Sequence, residues 1–133
     1  MNVLVACEYS ARVRDAFRLR GHNAWSCDLL PCEGDPTWHY QEDCFEAIKR
    51  QEWDLMIAHP PCTYLSSAGA RWFNISKYGD KARERYVKRE QAKEFVEKLG
   101  DCIIPRICIE NPVGYLNTNW QKPTQIIEPC WLS

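Results

Sequence analysis

One thiol and three carboxylates stand where short apolar runs of this chain stop. Cys62 follows "WDLMIAH" and a Pro-Pro pair, Glu110 follows "CIIPRICI", Asp28 follows "NAWSC", and Asp43 follows a brief extended piece. A cysteine that only had to pack would sit inside such a run as a small hydrophobe. Cys62 comes just after Pro60 and Pro61, whose rings fix the backbone, so it reads as a thiol aimed out of the strand end: a candidate nucleophile. A carboxylate at a strand end suits a different task, accepting hydrogen bonds from ribose hydroxyls. Asp28 holds that position, or caps a turn; Asp43 faces an adenine amino group, or caps the helix that follows it. The chemistry these types allow is covalent catalysis beside a nucleoside-containing cofactor.

The loop after the first strand narrows the cofactor. "ACEYSARVRDAF" holds no glycine, and the chain contains no GxxxxGK[ST], so a pyrophosphate has no backbone cradle. A cofactor without phosphates, such as S-adenosylmethionine, needs that turn less strictly.

The elements that must position these residues alternate. Residues 2–7 read as a buried strand, 10–21 as a helix with Val13, Ala16 and Phe17 at helical spacing and Gly21 at its end, and 23–27 as a second strand. Residues 28–40 carry Pro31, Gly34 and Pro36 and read as an irregular loop that ends in an extended piece. A short helix over 44–51 follows, then a central strand over 53–59, the longest helix over 81–100, and a buried strand within 102–111 whose ladder Pro105 confines to about 106–109. Strand and helix in repetition imply βαβ units and an open, doubly wound, mostly parallel α/β sheet in a single domain over 1–133. Such sheets bind ligands outside the carboxyl ends of their strands. Four of the five carboxyl ends carry an acid, which packing does not explain.

Composition sets outer limits. The 133 residues are 45% hydrophobic and 26% charged with a net charge of -1, so the chain is globular and no polybasic binder. No apolar run approaches the roughly 20 residues that span a bilayer. The opening "MNVLVACEYS" has no basic region and no cleavage site, so a cytoplasmic protein without a signal peptide is expected. Of eight cysteines no two form CxxC, so a zinc ribbon is not expected and no metal site is assigned. Reduced, mostly buried thiols are expected, Cys62 excepted.

The "PPC" and "ENP" segments, with "VLVACEYSARVRDAFRLRGH", "WDLMIAHPPCTYL" and "IENPVGYL" around them, resemble the DNA cytosine-C5 methyltransferases, in particular short methyltransferase-like proteins of bacteriophages. The resemblance implies a Rossmann-like, S-adenosylmethionine-dependent methyltransferase fold with Cys62, Glu110 and Asn111 as the catalytic set. Cys62 would attack C6 of cytosine and Glu110 would hold N3 and the exocyclic amine, with Pro112 where the family has valine. It implies cofactor contacts at Cys7, Glu8, Ser10, Asp28, Leu29, Asp43, Cys44 and Pro60, with Tyr9 and Ala11 near the family's glycine positions. After "ENP", the segment "TQIIEPCWLS" is similar to the approach to the family's Gln-x-Arg-x-Arg motif. No target-recognition domain is expected within the 133 residues, so DNA contacts would come from a partner or a second copy, and a single strand would be the better substrate.

Two further readings stay open. An exocyclic-amine methyltransferase wants Asp, Asn or Ser before Pro-Pro and an aromatic after it, where this chain has His59 and Cys62. A catalytically silent module could use the same cleft to hold a nucleoside, nucleic acid or a partner protein. His59 itself reads as a hydrogen-bonded strand-end residue. The helix "KARERYVKREQAKEFVEKLG" is either a solvated face laced with i,i+4 pairs or a phosphate-tracking surface through Arg85, Lys88 and Arg89. The loop "TYLSSAGARWFN" reads as a lid in which Arg71 meets a phosphate and Trp72 a base.

Overall fold

The structure is a computed structural model that describes residues 1–66, 72–112 and 114–128. Its centre is β1 (Asn2–Ala6), where Val3 and Val5 face one side and Leu4 and Ala6 the other, all four fully buried. Burial on both faces marks a central parallel strand with helices above and below. On one face α1 (Arg12–Leu19) lays Val13 and Phe17 against Val3, Val5 and Ala24 of β2 (Asn23–Asp28). On the other, α2 (Cys44–Ile48) and α4 (Asp80–Gly100) bring Ala47, Ile48, Phe95 and Leu99 onto Leu4, Ala6, Met56 and Ala58. Each fully buried side chain of the size of Leu4 or Met56 contributes about 1.5–3 kcal/mol.

The remaining strands are β3 (His39–Gln41), β4 (Leu55–Ala58) and β5 (Ile107–Ile109). The order is β3-β2-β1-β4-β5 and every ladder is parallel. The chain builds outward from β1 through β2 to β3, then returns to place β4 and β5 on the other side. The direction of winding therefore reverses between β1 and β4, where such sheets open a crevice. Two short helices, α3 (Ile75–Tyr78) and α5 (Tyr115–Asn119), were not foreseen from the sequence.

Several expectations need correction. The central strand starts at Leu55, not at residue 53: Trp53 lies before it, buried, with its indole N–H donating to the Ala47 carbonyl at 3.2 Å. β5 is the sheet edge, so Cys108 is exposed and the strand is not buried throughout. The seven described cysteines are all free, yet only Cys27 and Cys44 are buried, because Cys62 lies in a loop and Cys108 on an edge. Cys130 lies outside the described residues, as do the last residues of "TQIIEPCWLS". Among the described residues no helix is long and apolar enough to cross a membrane.

Candidate active site

The carboxyl ends of β1, β2 and β3 open into a cleft of about 270 Å3. Of the residues expected to contact a cofactor, Cys7, Asp28, Leu29, Asp43 and Cys44 line it. Both aspartates also do the local work that their positions allowed. Asp28 accepts the Leu30 N–H at 2.9 Å in a turn, and Asp43 caps α2 by accepting the Phe45 N–H at 2.8 Å. Each uses Oδ1 for this, and Oδ2 takes no hydrogen bond among the described residues.

Glu8, Ser10 and Pro60 do not line the cleft. Glu8 is buried, and its carboxylate accepts the N–H groups of Val13 at 2.7 Å and Arg14 at 3.2 Å, with the Ser10 hydroxyl donating at 3.2 Å. The reason is local: the residue at the start of α1 is Ala11, which has no side chain to cap with, so the first free amides take Glu8 from the preceding loop. A carboxylate thus occupies the helix end where a phosphate would otherwise bind. The backbone takes positive φ at Cys7 (60°) and Ala11 (66°), not at Tyr9. Loop 28–38 packs tightly on this turn, since a Cβ at Gly34 would lie 2.9 Å from the Ala11 Cβ.

Arg14, which the sequence did not single out, fastens that loop. Its side chain is fully buried, pairs with Asp15 at 2.9 Å, and donates to Ser26 Oγ at 3.2 Å and the Asp35 carbonyl at 2.9 Å. Ser26 in turn meets His39 Nδ1 at 2.8 Å. The wall of the cleft that bears Leu29 therefore hangs on a buried guanidinium, and only tertiary structure reveals it.

Five lining residues were not expected there: Cys27, Glu42, Pro61, which stands where Pro60 was expected, Ala92 and Phe95. Ala92, Phe95, Val96 and Leu99 repeat at i, i+3, i+4 and i+7 within the basic helix, and that spacing was the available signal. Glu42 is held by Arg50 through two hydrogen bonds of 2.9 and 2.7 Å, which keep its carboxyl below the ordinary range. The floor is made of thiols. Hydrogen bonding to Cys7 and burial push the Cys44 thiol up, while burial and then Cys44 push Cys27 up, so both stay protonated at neutral pH. Among the described residues no three His, Cys, Asp or Glu side chains could hold a metal ion.

The other two motifs end the neighbouring strands β4 and β5, which pair through Ala58 and Ile109. The cleft reaches them through Pro61, while Cys62 and Glu110 lie beyond its lining. Cys62 is exposed, and its carbonyl accepts the N–H groups of Leu65 and Ser66 at 3.0 Å, so the thiol opens a turn. Asn111 donates to the buried Pro60 carbonyl at 3.3 Å, and His59 Nδ1 lies 3.6 Å from a Glu110 oxygen. Asn111 Oδ1 and His59 Nε2 are buried without a partner among the described residues.

Arg85 and Lys88 of α4, with Trp72 from the segment before α3, line a second depression of about 430 Å3. Arg89 is not part of it: its guanidinium lies 4.4 Å from the Phe73 ring and 4.0 Å from that of Tyr115, so it serves packing. Arg71 lies outside the described residues. Comparison with protein families, with curated proteins and with solved structures gives no match.

Proposed function

We propose that the chain is the core of an S-adenosylmethionine-dependent DNA cytosine-C5 methyltransferase, with a Rossmann-like fold of that type and a cytoplasmic place of work. The observation that carries the reading is the Asn111–Pro60 hydrogen bond, which sets the Glu-Asn-Pro segment beside Pro-Pro-Cys at the edge of an acid-lined cleft. The lining suits an adenosyl group. Leu29 and Phe95 offer apolar contact, Asp28 and Asp43 each keep a carboxylate oxygen for hydroxyl or amino donors, and Glu8 fills the site a phosphate would want.

When bound, S-adenosylmethionine supplies an electrophilic methyl group. Cys62, as thiolate, adds to C6 of cytosine and moves an electron pair to C5, which is not nucleophilic before that addition. Glu110 hydrogen-bonds N3 and the exocyclic amine and holds the charge that develops on the ring. The electron pair at C5 takes that methyl group and leaves S-adenosylhomocysteine; loss of the C5 proton to water then re-forms the C5–C6 double bond, breaks the C6–S bond and expels the thiolate.

The test is tritiated methyl incorporation into single-stranded and duplex DNA by the wild type, Cys62→Ser and Glu110→Gln. Incorporation should favour the single strand, which needs no base flipping, and vanish in Cys62→Ser. Incorporation that survives Cys62→Ser would exclude the C5 mechanism.

A second reading, a catalytically silent module, is favoured by one observation. Cys7 and Ala11 carry side chains at positive φ in the first loop, where glycine would let a ligand approach the backbone. That module would bind the cofactor, nucleic acid or a partner protein without methyl transfer.

A further inference from the structure

The cations of α4 fall into two sets. Arg83 is paired with Asp80 at 2.9 Å, and Lys93 lies between Glu90 and Glu97 at 3.9 and 3.6 Å. Lys81, Arg85 and Lys88 have no carboxylate partner among the described residues. These three line the second depression together with Tyr64, Trp72 and Tyr78, and Glu84 is its only lining acid among the described residues. The rings and cations are already arranged around one another. Arg85 lies 4.9 Å and Lys88 5.7 Å from the Tyr64 ring centre, and Trp72, 39% exposed, is inclined to Tyr78 at 5.2 Å.

We propose that this groove binds a single-stranded nucleic-acid segment, with bases against Trp72 and Tyr64 and phosphates on Lys81, Arg85 and Lys88. The inference rests on the reading of the chain as one that acts on nucleic acid, and on no step of methyl transfer. An exposed indole and two half-buried phenol rings, beside cations that have no carboxylate partner among the described residues, match a ligand that alternates flat apolar rings with negative charge. A duplex offers the charge but keeps its base faces stacked inside, and an acidic peptide offers no ring. Tyr64 follows Cys62 by two residues, so one wall of the groove belongs to the turn that carries the exposed thiol.

The experiment is fluorescence anisotropy of the full chain with a labelled strand of about 12 nucleotides, its duplex and a poly-glutamate peptide, over a range of salt. Single strand should bind tightest. Lys81→Ala and Lys88→Ala, both exposed and so safe for the fold, should each lower the salt slope by about 0.7. Trp72→Ala should weaken binding about fivefold or more, and Arg83→Ala should leave it unchanged. Absence of strand binding, equal binding of duplex or peptide, or indifference to both lysine variants would overturn the proposal. Strand binding without methyl transfer would keep the groove and remove the methyltransferase reading. Methyl transfer unchanged in both lysine variants would do the reverse.

Discussion

Asn111 donates its side-chain N–H to the carbonyl of Pro60 at 3.3 Å and so ties the ends of β5 and β4 together across 51 residues of sequence. The bond fixes the loop that carries Cys62 relative to the one that carries Glu110. The second amide atom of Asn111, Oδ1, and Nε2 of His59 are buried beside it without partners among the described residues, a state that costs about 1–3 kcal/mol per group. Under the proposed function, a base held at this edge would pair them.

Asn111→Ala should therefore lower unfolding free energy by only about 0.5–1.5 kcal/mol, the net worth of one hydrogen bond. Methyl transfer should fall much further, because orientation of the two motifs is lost. Urea denaturation read beside methyl incorporation separates the two effects. Parallel losses would reduce Asn111 to a purely structural residue.

Asp28 and Asp43 should each matter to the cofactor through the oxygen not used locally. Asp28→Ala should weaken S-adenosylhomocysteine binding by about 0.5–1.5 kcal/mol in calorimetric titration. Asp43→Ala should also cost about 1 kcal/mol of stability as a lost helix cap, whereas Asp43→Asn keeps the cap and isolates the effect on the ligand. Unchanged affinity in all three variants would place the cofactor elsewhere.

Gly34 and Ala11 are coupled by contact. A Cβ at Gly34 would meet the Ala11 Cβ at 2.9 Å, so Gly34→Ala should destabilise by about 1–3 kcal/mol. Ala11→Gly removes the opposing atom at a position whose φ of 66° suits glycine, so the double variant should recover most of the loss. Simple addition of the two effects in urea melts would contradict this packing.

The sheet was legible because every strand but β3 is a short, largely apolar run closed by a turn or an acid, and βαβ chirality leaves few ways to assemble such runs. The cleft was half legible. Asp28 and Asp43 announce themselves at strand ends, but Phe95 arrives from α4, whose apolar stripe is narrow among charges. Glu8 was expected at the cofactor only through the family resemblance; that it caps α1 shows only once the helix is seen to start after Ala11, which has no capping side chain. Arg14 was invisible for a similar reason: its partners Ser26 and Asp35 reach it only after folding. α3 is bracketed by Asn74, which caps it, and Gly79 at positive φ, a signal that four helical residues were too short to make plain.

Stability should fall in acid through Glu42. Arg50 holds the folded-state pKa of Glu42 below its unfolded value, so the pair contributes stability above the ordinary glutamate range. That contribution is lost as pH falls from about 4.3 through the depressed value. For a pair this near the surface solvent screening keeps the contribution small. Thermal melts between neutral pH and acid should show a smaller decline for Glu42→Gln than for the wild type. Identical declines would mean that Arg50 does not hold the carboxylate in solution.

The central claim is that Cys62 forms a bond to the base. The direct measurement is the intact mass of the protein after incubation with S-adenosylmethionine and a single strand containing 5-fluorocytosine, which cannot lose a proton from C5 and so traps the adduct. The wild type should gain the mass of the strand plus one methyl group, and Cys62→Ser should gain nothing. An unmodified wild type that still binds both cofactor and strand, or an adduct that persists in Cys62→Ser, would contradict the account.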